Sequence, residues 1–541
     1  MAARRAHQPL APHGSIVKIL IADDLPTSAI DLLSKESWTV DDRSGRSVEQ
    51  LTADIADADA IVVRSATKVT AALINAAPRL RAIARAGTGV DNVDVPAASA
   101  RGIVVMNAPG ASSISVAELT MGFLLSLARH MPGADAAMKQ GKWEKKKFQG
   151  SELRGKTLGL VGLGRIGQEV ARRATAFEMR IIAFDPFLPP QAAADLDVEL
   201  VALDDLFAQA DYVSLHMPST PQTRNLVNAE RLANAKKGLR LVNTARGDLV
   251  DEAALADAIE GGQVAGAALD VFVKEPTVDH RLQNLPQVVA TPHIAASTAE
   301  GQELVGVETA AALRDFLRDG VVRNAVNVPS VSPDEFKRLQ PFLTLGERLG
   351  SFLAQMIDRN AQELSVRYYG DLASGRTDLV ANAIIVGLLR PILSPAVTFV
   401  NARQVAAERG LEVAESRSTR ARDYRALISV KLQTPEGDRW VEGAVFERAS
   451  ARLVMLDGVA VEAPLEGTMI VISNNDQPGV IGDLGTILGR HGVNIASFAL
   501  GRDGTRAVGL VGVDESARIT EALLEEIRGL KNIRTARLVR V

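Results

Sequence analysis

The stretch TLGLVGLGRIGQEV, residues 157–170, decides the fold of the region around it. Its apolar start predicts a buried strand, and the residues after Gly164 predict a helix. Gly162 permits a tight turn, Gly164 lets phosphate groups approach the backbone, and Gly167 lets the helix pack on the strand. The start of the helix supplies free N–H groups and the positive end of its dipole. The stretch therefore predicts a dinucleotide site in a Rossmann fold.

The next strand, RIIAFD, ends in Asp185, 18 residues beyond Gly167. A carboxylate at this place can accept hydrogen bonds from both ribose hydroxyls and repels a 2′-phosphate, which favours NAD over NADP. Further strands are predicted at 211–215, 239–243, 266–270 and 286–290. With the strands at 157–162 and 180–185 this makes six, the count of a doubly wound nucleotide-binding sheet.

An earlier series of short β-branched runs alternates with helical stretches, which is the pattern of a second parallel sheet. Its predicted strands are 17–22, 60–64, 80–85 and 103–106, with a helix at 27–34. A long helix at 113–130 is expected to join the two series. Another, after Thr298, is expected to cross back to the first.

The C-terminal part of the chain follows a different pattern. NAVNVPSVSP, residues 324–333, is typical of a domain boundary because of its prolines and serines. About 130 residues of mixed helix and strand follow. From Gly467 the order is strand, helix, strand, strand, helix and strand, a ferredoxin-like βαββαβ pattern.

Composition limits the class of protein. The chain has 541 residues, enough for three or four domains, and 47% of them are hydrophobic. A net charge of -4 argues against a nucleic-acid-binding protein. The absence of cysteine excludes disulfides and thiolate metal sites, no metal ligand set is expected, and the cytoplasm is the predicted location. No stretch resembles a membrane span, and residues 1–15 are expected to be a disordered tail.

Two histidines are candidates for a general acid and base, because both follow sheet strands at the edge where doubly wound sheets bind ligands. They are His216 and His293. Arg246, Asp270 and Glu275 lie at or just after neighbouring strand ends. An arginine can bind a carboxylate through two hydrogen bonds, and a glutamate beside a histidine stabilises its charged form. These groups favour His293, although each alone is also compatible with a surface ion pair.

These segments resemble the D-isomer-specific 2-hydroxyacid dehydrogenases, and within that family the long D-3-phosphoglycerate dehydrogenases. The segments that carry the resemblance are GLGRIG, HMPSTPQT, NTARGDLVDE, ALDVFVKEP, TPHIAAS, VRSATKVT, RAGTGVDNVD and NAPGASSISVAELT. The resemblance implies an α/β protein with two doubly wound parallel-sheet lobes, flavodoxin-like for substrate and Rossmann for NAD. An α+β intervening domain and a ferredoxin-like ACT domain follow. The implied boundaries are 16–112 with 299–329, 113–298, 330–464 and 465–541.

The resemblance also implies a role for each residue of the site. His293 acts as acid and base, Glu275 supports it, and Arg246 binds the substrate carboxylate. The implied cofactor-binding residues are Thr88, Gly162, Gly164, Arg165, Ile166, Gly167, Asp185, Met217, Thr244 and Asp270. The implied substrate-phosphate residues are Arg64, Ser65, Asn107, Gln302 and, from a neighbouring subunit, Lys145. The alternative for residues 143–147 is a solvated loop.

By the same resemblance, the predicted activity is NAD-dependent oxidation of 3-phospho-D-glycerate in serine biosynthesis. Asn474, Asp476 and Asn494 are the predicted effector residues for L-serine, although Asp476 is also compatible with a simple turn. A homo-oligomer, a tetramer, is expected, with neither nucleic acid nor membrane as a partner. The alternatives are a dehydrogenase for another 2-hydroxy acid, such as 2-hydroxyglutarate or the reduced form of glyoxylate, and a non-catalytic NADH sensor.

Overall fold

The computed structural model describes residues 16–277, 280–329, 331–358, 361–393, 397–446, 449–514 and 516–541. The expected disordered tail, residues 1–15, lies outside these ranges. The described residues form four sheets in succession along the chain. Two of them are wholly parallel, the third is mixed and the fourth is antiparallel, so the predicted α/β class with two parallel-sheet lobes is confirmed.

The first sheet has five parallel strands in the order β2-β1-β3-β4-β5. Its strands are β1 Lys18–Ile21, β2 Thr39–Asp42, β3 Ala60–Val63, β4 Ala82–Arg85 and β5 Val104–Met106. Its helices are α1 Thr27–Ser34, α2 Val48–Asp54, α3 Ala71–Asn75 and α4 Val95–Ala100, with a 3-10 turn at Ile55–Asp57. The inner strands β1, β3 and β4 are almost entirely buried, because helices cover both faces of the sheet.

The second sheet has seven parallel strands in the order β12-β11-β10-β9-β6-β7-β8. Its strands are β6 Thr157–Val161, β7 Arg180–Phe184, β8 Glu199–Leu200, β9 Tyr212–Leu215, β10 Leu239–Asn243, β11 Val264–Leu269 and β12 Val288–Ala290. The helices from the end of β5 through this sheet are α5 Ser113–Arg129, α6 Met131–Lys139, α7 Arg165–Ala176, α8 Pro190–Ala194, α9 Leu203–Gln209, α10 Ala229–Asn234 and α11 Glu252–Glu260. Short 3-10 helices span Lys145–Phe148 and Gly247–Leu249.

The strand count of six was wrong, because the sheet ends in the two-residue strand β8. That strand is too short to produce an alternating pattern in the sequence. The edge strand β2 was missed for a related reason, since its sequence TVDD is polar and partly exposed.

Helix α12, Ala299–Asp319, returns the chain to the first sheet, as predicted. Its residues Ala310, Leu313 and Leu317 pack in one buried cluster with Ile19 and Leu33. Beyond it, the Asn327 side-chain oxygen accepts the backbone N–H of Val105 in β5 at 2.9 Å. The segment expected to be a boundary therefore begins attached to the edge of the first sheet.

The third sheet has six strands in the order β14-β13-β15-β16-β17-β18, and the fourth has four in the order β20-β21-β19-β22. The elements of the third region are α13 Pro333–Gln355, β13 Glu363–Gly370, the 3-10 helix Asp371–Ser374, α14 Thr377–Leu389, α15 Ala402–Glu408, β14 Glu412–Ser418, β15 Ala426–Thr434, β16 Gly437–Phe446, β17 Ser450–Leu456 and β18 Val459–Pro464. Those of the fourth are β19 Thr468–Asn474, α16 Val480–Arg490, β20 Ile495–Arg502, β21 Ala507–Val513, α17 Glu521–Arg528 and β22 Ile533–Arg540. The fourth has the predicted βαββαβ order.

Candidate active site

The glycine turn between β6 and α7 has the geometry that its sequence suggests. Gly162 has φ +98, and a Cβ there would lie 2.5 Å from the carbonyl oxygen of His216. A Cβ on Gly167 would lie 2.3 Å from the carbonyl oxygen of Gly162. A Cβ on Gly164, which caps α7, would meet no described atom within 4 Å outside its own helix and chain neighbours. The N-terminus of α7 therefore faces open space, and this fits a cofactor pyrophosphate.

Asp185 lies directly after β7 and beside this turn. Its Oδ2 accepts the Leu163 N–H at 2.9 Å, and its Oδ1 accepts the Phe187 N–H at 2.9 Å. These bonds fix the carboxylate at the rim of the turn, and each oxygen keeps a lone pair for a ribose hydroxyl. A Cβ on Gly110 of the first lobe would lie 2.7 Å from the Arg165 Nη1, so Arg165 reaches across to that lobe. The next residue, Ile166, lies in the first turn of α7.

His293 and Glu275 form a hydrogen-bonded pair, with 2.7 Å between His293 Nδ1 and Glu275 Oε2. The other carboxylate oxygen, Oε1, accepts the Phe272 N–H at 3.0 Å. The bond to Glu275 raises the pKa of the His293 imidazole, against the effect of burial. Burial acts to raise the pKa of Glu275, but hydrogen bonds from His293 and Phe272 bring it below its ordinary value. With Nδ1 engaged, Nε2 is the nitrogen that can exchange a proton with a substrate.

Asp270, at the end of β11, is fully buried and organises the loop that carries His293. Its Oδ1 accepts the Thr291 hydroxyl at 2.5 Å and the Ile294 N–H at 2.8 Å, and its Oδ2 accepts the Ala295 N–H at 2.8 Å. His293 itself has φ 55, a left-handed conformation that non-glycine residues adopt rarely. The buried carboxylate therefore stabilises an unusual turn, and its expected contact with the nicotinamide end remains a prediction.

Arg246, just after β10, spans the space between the two lobes. Its Nη1 donates to the Ala245 carbonyl at 2.7 Å, and its Nη2 lies 3.1 Å from Asp91 Oδ2 in the first lobe. A Cβ on Gly89 would lie 2.0 Å from the same Nη2, so the guanidinium lies directly over the backbone of the loop after β4. The charge of Arg246 also acts to lower the pKa of both Glu275 and His293.

His216 has a different environment from His293. Its Nε2 lies 2.9 Å from the Ser214 Oγ, and burial lowers its pKa to about 3. It is therefore neutral at physiological pH and cannot donate a proton in the reduction direction. The geometry thus favours His293, the histidine that the sequence analysis also favours.

The first-lobe candidates lie on loops after β3, β4 and β5. Asp23 fixes the loop after β3, because its carboxylate accepts the backbone N–H of Arg64 at 2.6 Å and that of Thr67 at 3.1 Å. Ser65 lies between them on this loop. Asn107 is buried, and its Nδ2 donates to the Thr88 carbonyl at 2.5 Å. These bonds join two of the loops into one wall of the cleft.

Arg85 is a candidate that the sequence analysis missed. It ends β4, and its Nε is buried with no hydrogen-bond partner within the described part of the chain. Burial lowers its pKa, and the charges of Arg246 and Arg64 lower it further. Two guanidinium charges therefore repel that of Arg85, and the carboxylates of Asp91 and Asp23 oppose this effect. The available signal was its place at the C-terminal end of a parallel strand.

The remaining candidates occupy varied positions. Thr244 Oγ1 lies 3.1 Å from Thr120 Oγ1 in a buried contact, and Met217 packs partly against the core beside β9. Gln302 lies in the first turn of α12. Lys145 is exposed in a 3-10 helix, and its place in a neighbouring subunit's site remains a prediction.

The predicted effector residues do not come together within one chain. Asn474 ends β19 opposite Ala507, whereas Asn494 precedes β20 at the end where Ile495 pairs with Val513, so the two lie at opposite ends of the fourth sheet. Asn474 is buried, and its Nδ2 has no hydrogen-bond partner among the described residues. Asp476 Oδ1 accepts the Arg502 Nε–H at 2.8 Å, and Asn494 Nδ2 donates to Asp514 at 2.9 Å. Asn474 and Asp476 are joined by a 2.8 Å bond, whereas Asn494 has its own partner on the loop after β21.

Comparisons with known proteins agree with this architecture. Residues 121–295 match the NAD binding domain of the D-isomer specific 2-hydroxyacid dehydrogenases. Residues 338–457 match the D-3-phosphoglycerate dehydrogenase intervening domain, and residues 468–532 match the ACT domain. A D-3-phosphoglycerate dehydrogenase of Methanocaldococcus jannaschii is 42% identical over 527 residues, 97% of this chain and 100% of the relative.

This chain belongs to the D-3-phosphoglycerate dehydrogenase family. Another member, from Archaeoglobus fulgidus, is 42% identical over 522 residues, 96% of this chain and 98% of that protein. Among solved structures, a D-lactate dehydrogenase from Aquifex aeolicus complexed with NAD and lactic acid has a TM-score of 0.51 and 28% identity. It covers 58% of this chain and 100% of its own length. The family match and this neighbour support NAD as the cofactor.

Proposed function

We propose that this protein oxidises 3-phospho-D-glycerate to 3-phosphohydroxypyruvate with NAD, the first step of serine synthesis by the phosphorylated route. The observation that carries the proposal is the arrangement of charge in the cleft. The charge of Arg246 acts on the His293–Glu275 pair, and the charges of Arg246 and Arg64 both act on the buried Arg85. An acid and base next to an excess of guanidinium groups suits a hydroxy acid that carries a second, phosphate anion.

The proton step uses His293. In the oxidation direction, Nε2 accepts the proton of the substrate C2 hydroxyl while the C2 hydrogen leaves as hydride. In the reduction direction, the imidazolium returns the proton to the new alkoxide. The hydrogen bond to Glu275 that raises the pKa of His293 keeps more of the imidazolium at neutral pH.

The NAD site supplies the hydride acceptor when the cofactor is bound. The N–H groups at Gly164, Arg165 and Ile166 would bind its pyrophosphate, and Asp185 would accept the ribose hydroxyls. Arg246 would bind the substrate carboxylate in two hydrogen bonds and polarise the developing carbonyl at C2. Its Asp91 contact is exposed enough to exchange for substrate, since the Asp91 side chain is 70% exposed.

The phosphate end is assigned to the first lobe. We propose that Arg85 joins Arg64, Ser65, Asn107 and Gln302 there, because its buried and unpaired Nε would gain an anionic partner. Lys145 of a neighbouring subunit would complete the site. This proposal favours the phosphorylated substrate over the unphosphorylated 2-hydroxy acids, whose single carboxylate would leave the arginine cluster uncompensated.

Regulation and assembly extend the proposal. L-serine is proposed as the effector, bound between two paired ACT domains by Asn474 and Asp476 of one and Asn494 of the other, because an amide and a carboxylate complement an α-amino acid. We also propose a homotetramer in the cytoplasm, with the domain boundaries predicted from the sequence.

Across the ranges that the structure describes, no helix combines the length and the apolar character that a membrane crossing requires.

The test is loss of NADH absorbance during reduction of 3-phosphohydroxypyruvate, measured for the wild type and His293→Ala, with and without L-serine. Turnover that disappears in the variant supports the reaction and the role of His293. NADH binding without turnover on this substrate would contradict the substrate assignment. Turnover that L-serine does not change, with no heat of serine binding, would remove the effector proposal alone.

A further inference from the structure

A second pocket lies between α13, α14 and the end of the C-terminal sheet, and none of its lining residues belongs to the site described above. Its volume is about 280 Å³. Glu347, Arg348 and Ser351 line it from one face of α13, as their spacing of three and four residues requires. Arg390, at the end of α14, and Val541, the residue after β22, also line the pocket. The pocket therefore joins the third and fourth sheet regions.

The two helices that form this pocket touch through their backbones. A Cβ on Gly387 would lie 1.9 Å from the carbonyl oxygen of Glu347, and one on Gly350 would lie 2.1 Å from that of Ile384. Neither position can accept a larger residue while the helices remain this close. The relative positions of Glu347 and Arg390 are therefore fixed by the helix contact.

The charged groups of the pocket are of both signs and reachable from solvent. Arg390 Nη1 hydrogen-bonds to Glu347 Oε1, and the two side chains are 32% and 33% exposed. Arg348 Nη1 donates to the Leu465 carbonyl at 2.8 Å and lies 3.5 Å from Glu466 Oε2. Leu465 and Glu466 connect β18 to β19, so Arg348 ties α13 to the start of the C-terminal sheet.

We propose that this pocket binds a free α-amino acid, a function separate from the active site and from the effector residues around Asn474. Its carboxylate would bind Arg390 and Arg348, and its ammonium would bind Glu347. A simple anion would compete with Glu347 for Arg390 and leave two negative charges side by side. A simple cation would lie between two guanidinium groups, and both would repel it. A zwitterion replaces the Arg390–Glu347 pair by two new ion pairs, while Glu466 remains beside Arg348.

The size of the pocket agrees with this ligand class. A volume of about 280 Å³ is many times the roughly 10–15 Å³ that a single water needs. That space accommodates the charged end of an amino acid and a small side chain. Val541 and Pro391 provide an apolar surface for that side chain, and the Ser351 hydroxyl lies on the α13 side.

A ligand here would stabilise the junction between the third and fourth regions. Next to the pocket, Gln355 bonds to both backbone groups of Arg540: its Nε2 donates to the carbonyl at 2.8 Å, and its Oε1 accepts the N–H at 3.0 Å. Arg537 and Asp358 form an ion pair on the same side. Because the ligand would bridge α13 and α14 beside this junction, its binding should slow local opening of both α13 and β22.

The experiment measures hydrogen exchange and heats of binding on the full chain without NAD or substrate. The probes are glycine, L-alanine, L-serine and L-valine at about 10 mM, a concentration that reveals a millimolar Kd. Acetate and ethylamine are probes with a single charge. At least one amino acid should slow exchange in α13 and β22. Glu347→Gln and Arg390→Gln should each weaken that effect about ten-fold or more.

Arg154→Gln is the matched control, because Arg154 pairs with Glu178 at 2.9 Å on the surface of the second lobe. It should leave binding unchanged. If no amino acid of the panel protects α13, or if protection survives both pocket variants, the proposal is wrong. Equal protection by acetate in wild type and Glu347→Gln would identify a plain anion site and also overturn it. If Arg390→Gln fails to fold, the isosteric Glu347→Gln decides. Because no step requires turnover, this result is independent of the proposed enzymatic activity.

Discussion

The first and second lobes form the two walls of the cleft, and the side chains on these walls have different chemical roles. The second-lobe wall holds one precise contact, 2.7 Å between His293 and Glu275, on a loop fixed by the buried Asp270. The first-lobe wall holds charge: Arg85 and Arg64 act on each other electrostatically, and Asp91 partly compensates them. Reaction rate and substrate selection should therefore be separable by mutation. Changes on the first wall should alter KM, and changes on the second should alter kcat.

The largest expected effect comes from the second wall. His293→Ala should lower kcat by about 10²–10⁴-fold, the usual contribution of a general acid and base, with NADH binding unchanged. Steady-state kinetics and NADH fluorescence titration measure the two quantities. The control is His491→Ala, which removes a histidine paired with Glu526 at 2.8 Å in the C-terminal region. If the control lowers kcat equally, His293 has no special role.

Arg85→Gln tests the first wall. Loss of a charge-assisted contact to phosphate should raise the KM for 3-phosphohydroxypyruvate by about 10–100-fold, with a much smaller change in kcat. Arg81→Gln is the control, since Arg81 lies just before the other end of β4, where burial also lowers its pKa. A fall in kcat at unchanged KM would show that the walls are not separable in this way.

Glu275→Gln tests whether the carboxylate on the second wall sets the pKa of His293. The carboxylate raises the pKa of His293, so its loss should lower that pKa, and the imidazolium needed for reduction should disappear at lower pH. The alkaline limit of kcat for reduction should therefore move to lower pH, and at mildly alkaline pH the rate should fall about ten-fold. Glu526→Gln should leave the pH profile as it is. An unmoved alkaline limit would mean that another group sets it.

The smallest expected effect belongs to Asp91→Asn. Asp91 competes with the substrate carboxylate for Arg246, and exposed ion pairs contribute little, so the KM should fall by about two- to five-fold. Asp135→Asn, which removes a surface pair with Lys139, should change nothing. A higher KM instead would mean that Asp91 positions Arg246 for substrate.

The fold was predictable to the extent that its signals are local. Buried parallel strands produce apolar runs, and the close contact of Gly167 with the Gly162 carbonyl lies within a single βα unit. Strands β2 and β8 were not predicted, because a polar edge strand and a strand of two residues have no such apolar run. The third region was predicted only as mixed helix and strand.

The candidate site shows the same limit. Strand ends pointed to Arg246, Glu275 and His293, and the structure brings them together. Arg85 was missed because its significance depends on burial and on Arg246, which is 161 positions away in the sequence. An interaction between two residues so far apart in the sequence cannot be predicted from the spacing of residues within a motif.

The most direct test of the account is the ratio of kcat/KM for 3-phosphohydroxypyruvate to that for hydroxypyruvate, measured by NADH consumption in wild type and Arg85→Gln. We expect the wild type to prefer the phosphorylated substrate, and Arg85→Gln to reduce this preference by about ten-fold or more. A wild type that uses both substrates equally well would contradict the assignment of the first-lobe arginines to the phosphate. A preference that survives unchanged in Arg85→Gln would contradict the role of Arg85 in that assignment.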